Sequence, residues 1–242
     1  MNTDWVLALD FGNTRIKAAW FDRSGAIQER ILIPSDSEDQ MLHQLLQKGF
    51  YRCLYCSTRN LPEALEVALE AAGAVRLTHQ CILPFQIAYE TPQTLGSDRL
   101  AAVAGAWHLS PQSNCLVIDA GTCITYDIIR ADGVYEGGCI SPGMTMRLQA
   151  MHHFTARLPL VHPDEDWALF GKSTEEAIRR GGQTGFLAEL DGFIRLFQNN
   201  FGALHIYITG GDAAYAIRHL KTDVLYDPDL VLKGLFKISI CQ

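Results

Sequence analysis

Apolar residues along this chain follow two periodicities, and the switches between them mark out short strands and longer helices. Val6-Leu7-Ala8-Leu9 is a continuous apolar run that ends in Asp10-Phe11-Gly12-Asn13-Thr14. A second stretch runs from Arg15 to Phe21, a turn follows at Asp22-Arg23-Ser24-Gly25, and a third stretch runs from Ala26 to Ile33. β-Branched and aromatic residues bounded by turn formers predict a meander of strands. The same order then returns. Leu116-Val117-Ile118 runs into Asp119-Ala120-Gly121-Thr122, then Cys123 to Ile129, a turn at Ala131-Asp132-Gly133, and Val134 to Ile140, so that Asp119 stands 109 positions after Asp10. Further strands are predicted at Tyr51–Cys56 and His205–Thr209, and helices over about 38–47, 62–72, 99–109, 144–152, 174–199 and 212–220.

A strand-meander-then-helix unit written twice predicts an α/β fold of two homologous lobes, 1–112 and 113–242, joined near Ser110-Pro111-Gln112-Ser113-Asn114. The cleft between two such lobes is where a ligand is expected.

In each copy an Asp closes a buried strand beside a glycine, and a hydroxyl follows at Thr14 or Thr122. Successive turn amides and a hydroxyl make a concave donor site for phosphate oxygens, and the neighbouring carboxylate can hold hydrated Mg²⁺. Asp10, Lys17 and Asp119 then supply the charges that phosphoryl transfer uses. A simple type I turn accounts for either copy alone. It does not account for the same Asp-Gly-Thr order twice in matching contexts. A third glycine signal, Ile208-Thr209-Gly210-Gly211-Asp212, places flat backbone at a strand-to-helix junction, as nucleotide sites require.

Tyr89-Glu90-Thr91-Pro92-Gln93-Thr94-Leu95-Gly96-Ser97-Asp98-Arg99 leads into an apolar helix. Asp98 there reads either as a helix cap and dipole charge or as a base that takes a proton from an attacking hydroxyl, placed by a backbone turn that Gly96 frees. Arg99 would grip an anionic substrate.

Composition narrows the class. Apolar residues are 48% of the 242 and charged residues 19%, enough for a packed core. The net charge of −7 offers no basic face for a phosphate backbone, so nucleic acid is not an expected partner. Met1-Asn2-Thr3-Asp4 has no cationic n-region and no apolar run reaches the roughly 18–20 residues of a membrane span, so no membrane association and a cytoplasmic location are expected. Seven cysteines, several inside apolar runs, fit reduced thiols, and the Cys53/Cys56 pair reads as strand packing. Gly171-Lys172-Ser173-Thr174 imitates the end of a Walker A loop, but Asp166 stands where that loop needs glycine. His152, His153 and His162 with Asp164 and Asp166 lack metal-ligand spacing.

Taken together, Asp10-Phe11-Gly12-Asn13-Thr14, Asp119-Ala120-Gly121-Thr122, Gly96-Ser97-Asp98-Arg99, Gly137-Gly138-Cys139-Ile140-Ser141-Pro142-Gly143 and Thr209-Gly210-Gly211 resemble the motifs of type III pantothenate kinases. The resemblance runs through Gly171-Lys172-Ser173-Thr174 to the ending 227–235 and covers essentially the whole chain. Ser97 stands where alanine is common in that family, and Cys123 where a small apolar residue is usual.

The resemblance implies duplicated actin-like, ribonuclease H-like lobes with a nucleotide cleft between them. It implies ATP-dependent phosphorylation of pantothenate to 4′-phosphopantothenate, the first step of coenzyme A biosynthesis. ATP with Mg²⁺ would be bound by Asp10, Gly12, Asn13, Thr14, Lys17 and Thr122, with Gly210 and Gly211 alongside. Pantothenate would be bound by Tyr89, Gly96, Ser97, Asp98, Arg99 and Thr174. Asp98 would be the general base and Asp119 the ligand of a monovalent cation, K⁺ or NH₄⁺. A homodimer is implied, with Thr174 reaching the partner's pantothenate site. The alternatives are another small-molecule kinase of the superfamily or a non-catalytic accessory factor to a transcriptional regulator.

Overall fold

The computed structural model describes residues 4–34, 38–166 and 168–242. The reading of Met1-Asn2-Thr3 lies outside them. In chain order the elements are β1 (Val6–Phe11), β2 (Ile16–Phe21), β3 (Ile27–Ile33), α1 (Glu38–Gln47), β4 (Arg52–Ser57), α2 (Glu63–Ala71), β5 (Ala74–Arg76) and β6 (Gln86–Ile87). A 3₁₀ turn at Pro92–Thr94 precedes α3 (Ser97–Leu109), β7 (Cys115–Ala120), β8 (Cys123–Ile129), β9 (Val134–Pro142) and α4 (Met144–His153). The chain ends with α5 (Thr174–Phe201), β10 (His205–Thr209), α6 (Ala213–His219), β11 (Leu225–Tyr226) and α7 (Leu230–Ser239). No helix among the described residues is long and apolar enough to cross a membrane.

The chain forms two compact units. The first takes in the residues up to Gln112, together with Ile129–Gly137 and Asp229–Gln242; the second is Ser113–Ile128 with Gly138–Pro228. Two later segments of the chain thus belong to the first unit. Helix α7 explains one of them, because it packs on α3, β1 and β4.

In the first unit the sheet order is β3-β2-β1-β4-β5. β1 lies between an antiparallel neighbour, β2, and a parallel one, β4. All six of its residues are buried, which is why it reads as an unbroken apolar run and not as an alternation. Edge strand β3 instead alternates between more exposed and more shielded positions, as a sheet face turned to water requires. Leu7, Leu9, Phe11, Ile16, Trp20 and Leu69 are core members here. α7 approaches α3 closely enough that a Cβ on Gly234 would fall 1.7 Å from the Ala101 carbonyl oxygen. Most of its residues are buried, and Lys233 and Lys237, one turn apart, mark its less buried face.

In the second unit the strands run in the order β11-β10-β7-β8-β9. β10 is parallel to both β7 and β11. The core gathers Leu116, Ile118, Tyr126, Phe186, Leu190 and Ile208, so α5 supplies much of the cover on this sheet.

Candidate active site

Asp10 occupies the penultimate position of β1, at the C-terminal end of a parallel pair of strands, where α/β folds expose backbone to ligands. Antiparallel register sets it opposite Lys17 on β2, and parallel register sets it opposite Cys56 on β4. The Cys56 thiol donates to its Oδ1 across 3.5 Å. Only 9% of Asp10 is exposed. Burial pushes its carboxyl up to about 6 from an ordinary 3.8; the Lys17 charge opposes that shift, the Asp98 charge adds to it, and the Cys56 thiol opposes it. Gly12, Asn13 and Thr14 form the turn that links β1 to β2, with Asn13 and Thr14 exposed at its tip.

The influence of Asp98 on Asp10 brings two sequence-predicted carboxylates into one neighbourhood. Asp98 stands in the first turn of α3. The cap position is Gly96, which has no side chain to offer, so Asp98 is not the cap. Gly96 has φ −57° and ψ 128°, a conformation open to any residue. The expectation that it frees the turn is corrected: the conformation does not call for glycine, and what the missing Cβ spares is a 2.5 Å approach to the Asp98 carboxylate oxygen, which any larger residue would push aside. Ser97 ties the helix to the end of β4, its hydroxyl accepting from the Ser57 amide at 3.2 Å and facing the Ser57 carbonyl at 3.4 Å. Arg99 is 6% exposed, and its guanidinium lies 5.8 Å from the centre of the Tyr89 ring, a cation–π arrangement. The first unit therefore brings together Asp10, Lys17, Tyr89 and Gly96 to Arg99.

In the second unit Asp119 is the penultimate residue of β7, as Asp10 is of β1, and Gly121 and Thr122 turn the chain into β8. Gly210 follows β10 with φ +99°, a region that favours glycine, and a Cβ there would meet the Ala120 carbonyl oxygen at 2.4 Å and the Asp119 carboxylate at 2.5 Å. The Asp212 amide donates to the Ala120 carbonyl at 2.8 Å, and the Gly143 amide donates to the Thr122 carbonyl at 3.1 Å. The third glycine signal thus lies against the second Asp-Gly-Thr motif, and the Pro142-Gly143 turn closes the same cluster. Asp212, which ends the third glycine signal, is given no role by the sequence alone. Burial raises its carboxyl above the ordinary value, and a hydrogen bond from the Met144 amide opposes the shift.

Ser173 caps α5 by accepting from the Glu176 amide at 3.3 Å, and Glu176 accepts from the Lys172 amide at 2.7 Å, so Gly-Lys-Ser-Thr opens a helix through mutual capping. Thr174 is the first residue of that helix and is exposed. Cys53 and Cys56 are free, three positions apart on β4, and so face opposite sides of the sheet. Asp164 is engaged by Arg179 and Arg180, and no group of three or more metal-ligating side chains is found among the described residues.

Comparison with known proteins decides the family. Residues 6–196 match the family model of type III pantothenate kinase. A type III pantothenate kinase from Flavobacterium johnsoniae is 39% identical over 95% of each chain. Another, from Phocaeicola vulgatus, is 41% identical over 96% of each. The chain belongs to the type III pantothenate kinase family. Among solved structures, the activator of 2-hydroxyisocaproyl-CoA dehydratase from Clostridium difficile with bound ADPNP aligns over 98% of this chain and 95% of its own. Its TM-score is 0.54 at 9% identity, a likeness of fold alone. The fold is that of actin-like ATPases and sugar kinases, and the activity is ATP-dependent phosphoryl transfer to pantothenate in coenzyme A biosynthesis.

Proposed function

We propose that Asp98 is the general base of this kinase and that Arg99 and Tyr89 hold pantothenate for it. The observation that carries the reading is the neighbourhood of the first unit: a carboxylate in the first turn of α3, charge-coupled to Asp10, next to a buried guanidinium under an aromatic ring. Arg99 pairs with the carboxylate of pantothenate, and Gly96 and Ser97 lie along it. As the 4′-hydroxyl oxygen bonds to the γ-phosphorus of ATP, its proton passes to Asp98. The bond from that phosphorus to the β,γ-bridging oxygen breaks, and ADP leaves with the bridging oxygen.

Asp10, Gly12, Asn13, Thr14 and Lys17 are assigned to the phosphates of ATP, as are Thr122, Gly210 and Gly211 of the second unit. Mg²⁺ supplies charge neutralisation on those phosphates when bound. It takes one or two carboxylates, phosphate oxygens and waters, so Asp10 suffices and a dense ligand cluster is not needed. Asp119, with backbone carbonyls at the turn beside it, suits a hard oxygen-seeking cation, and we assign it K⁺ or NH₄⁺. Thr174, exposed at the start of α5, is assigned to the pantothenate site of a partner in a homodimer working in the cytoplasm.

The test is ATP consumption by the purified chain over a panel of hydroxyl acceptors. Turnover that depends on pantothenate is expected. Turnover with a sugar but not with pantothenate would point to another kinase of the fold, and none with any acceptor would point to an accessory binding role.

A further inference from the structure

The aromatic face over Arg99 is built by residues that the substrate motif does not contain. β6 runs parallel to β9, with Gln86 aligned to Val134 and Ile87 to Tyr135. The ladder is closed by the Gln86 amide donating to the Gly133 carbonyl and the Ala88 amide to the Tyr135 carbonyl, each at 2.9 Å. Carrying that register forward sets Tyr89 beside Gly137, where the ring fills the space that a side chain on Gly137 would take. A Cβ on Gly137 would stand 2.9 Å and 3.2 Å from Cδ2 and Cε2 of Tyr89. Gly137 also has φ +108°, so glycine is required there twice over, by conformation and by contact. Tyr135, fully buried, stacks on Tyr89 with ring centres 6.5 Å apart and planes 15° apart, and Phe85 meets Tyr135 edge-on at 6.3 Å.

We infer that Gly137 and Tyr135 are positioning residues for pantothenate binding: together they fix the depth of the Tyr89 ring, and the ring in turn fixes the Arg99 guanidinium. This rests on the reading that Tyr89 and Arg99 hold the substrate. Neither Gly137 nor Tyr135 need touch pantothenate. The glycine leaves room for the ring, and the buried tyrosine stops it from swinging away. A methyl at Gly137 strains a backbone held at φ +108° and also meets the Tyr89 ring, and a Tyr89→Ala background separates the two effects.

The experiment measures KM for pantothenate, KM for ATP, kcat and melting temperature for Gly137→Ala, Tyr135→Leu and Tyr135→Phe. Gly137→Ala is then repeated in a Tyr89→Ala background. Gly137→Ala and Tyr135→Leu are expected to raise KM for pantothenate about tenfold and to leave KM for ATP within about twofold, while Tyr135→Phe, which keeps the ring, stays within about twofold throughout. With Tyr89 already truncated, the effect of adding Gly137→Ala on KM for pantothenate is expected to fall from about tenfold to about threefold or less, the remainder being the backbone strain of alanine at φ +108°. A tenfold effect that persists in the Tyr89→Ala background overturns the proposal. So does an unchanged KM in both single variants. Failure of both Gly137→Ala and Tyr135→Leu to fold would also overturn it, by assigning these residues to the fold itself. Arg99→Lys separates the two layers: it keeps the charge and loses the planar fork. If it raises KM for pantothenate while Gly137→Ala does not, the positioning falls and the site assignment survives; if it changes nothing while Gly137→Ala raises KM, the assignment of Arg99 falls.

Discussion

Replacing Asp10 by Asn should make this kinase more stable while disabling it. The carboxyl titrates at about 6 in the folded chain against 3.8 in the open chain, chiefly because burial penalises its charge. A carboxyl whose value is raised by folding favours the native state while protonated. That advantage is complete below the open-chain value and is lost as pH rises through about 6. At pH 7.5 the charge therefore costs about 3 kcal/mol, from a shift of roughly two units at 1.36 kcal/mol each. Asn keeps the shape and carries no charge, so Asp10→Asn should gain up to that amount. A gain of about 3 kcal/mol is on the order of 6–12 °C in melting temperature for a chain of this length. The gap should shrink to about a third near pH 4.5, where the native carboxyl is already mostly protonated. Melting curves without nucleotide across pH 4.5–8 measure it. An Asp10→Asn protein less stable than its parent at pH 7.5, or a gap that does not narrow towards pH 4.5, refutes the reasoning. The accompanying loss of turnover would mark Asp10 as a residue kept at a cost in stability for the sake of phosphate and Mg²⁺ binding.

Two further outcomes are expected. If Asp119 holds K⁺, a fixed positive charge beside the phosphates offsets their repulsion, and activity should be low in Na⁺ buffer and rise on adding K⁺ or NH₄⁺; equal rates in all three salts would remove the assignment. If Thr174 completes a partner's site, the active species is a dimer and Thr174→Ala should weaken pantothenate binding more than ATP binding, as titration calorimetry and sedimentation can tell; a fully active monomer would contradict it.

The parts of this architecture that can be read from the sequence are those where local chemistry and tertiary context agree. β1 and β7 announce themselves because strands buried on both faces read as apolar runs, and a carboxylate breaking such a run at its end stands out. Ser97–Leu109 and Thr174–Phe201 are found within two residues at each end from helical spacing. What could not be read is register. Nothing local tells that Cys56 will lie opposite Asp10 and donate to it, because that depends on how β4 aligns with β1. Nor does Tyr135 or Gly137 announce its contact with Tyr89 across a parallel pairing with β6. Helix α7 was not read although Lys233 and Lys237, one turn apart among apolar residues, give it an amphipathic pattern; Gly234 in its middle weakens the local propensity, and only the packing against α3 shows why glycine stands there. Gly96 was legible as part of the motif but not in its effect, since its conformation is open to any residue and its missing Cβ leaves the Asp98 carboxylate where it stands.

The central claim is that Asp98 removes the proton from the attacking hydroxyl, and Asp98→Asn tests it most directly when turnover and melting temperature are taken on one preparation. Asn keeps the size and hydrogen-bonding reach of the side chain at the first turn of α3 and removes its basicity. The account predicts near-normal melting with kcat lowered by roughly 10²–10⁴-fold, the range for losing a general base. An Asp98→Asn enzyme that keeps more than about a third of the parent's turnover, far inside that range, would contradict it and send the search for the base elsewhere.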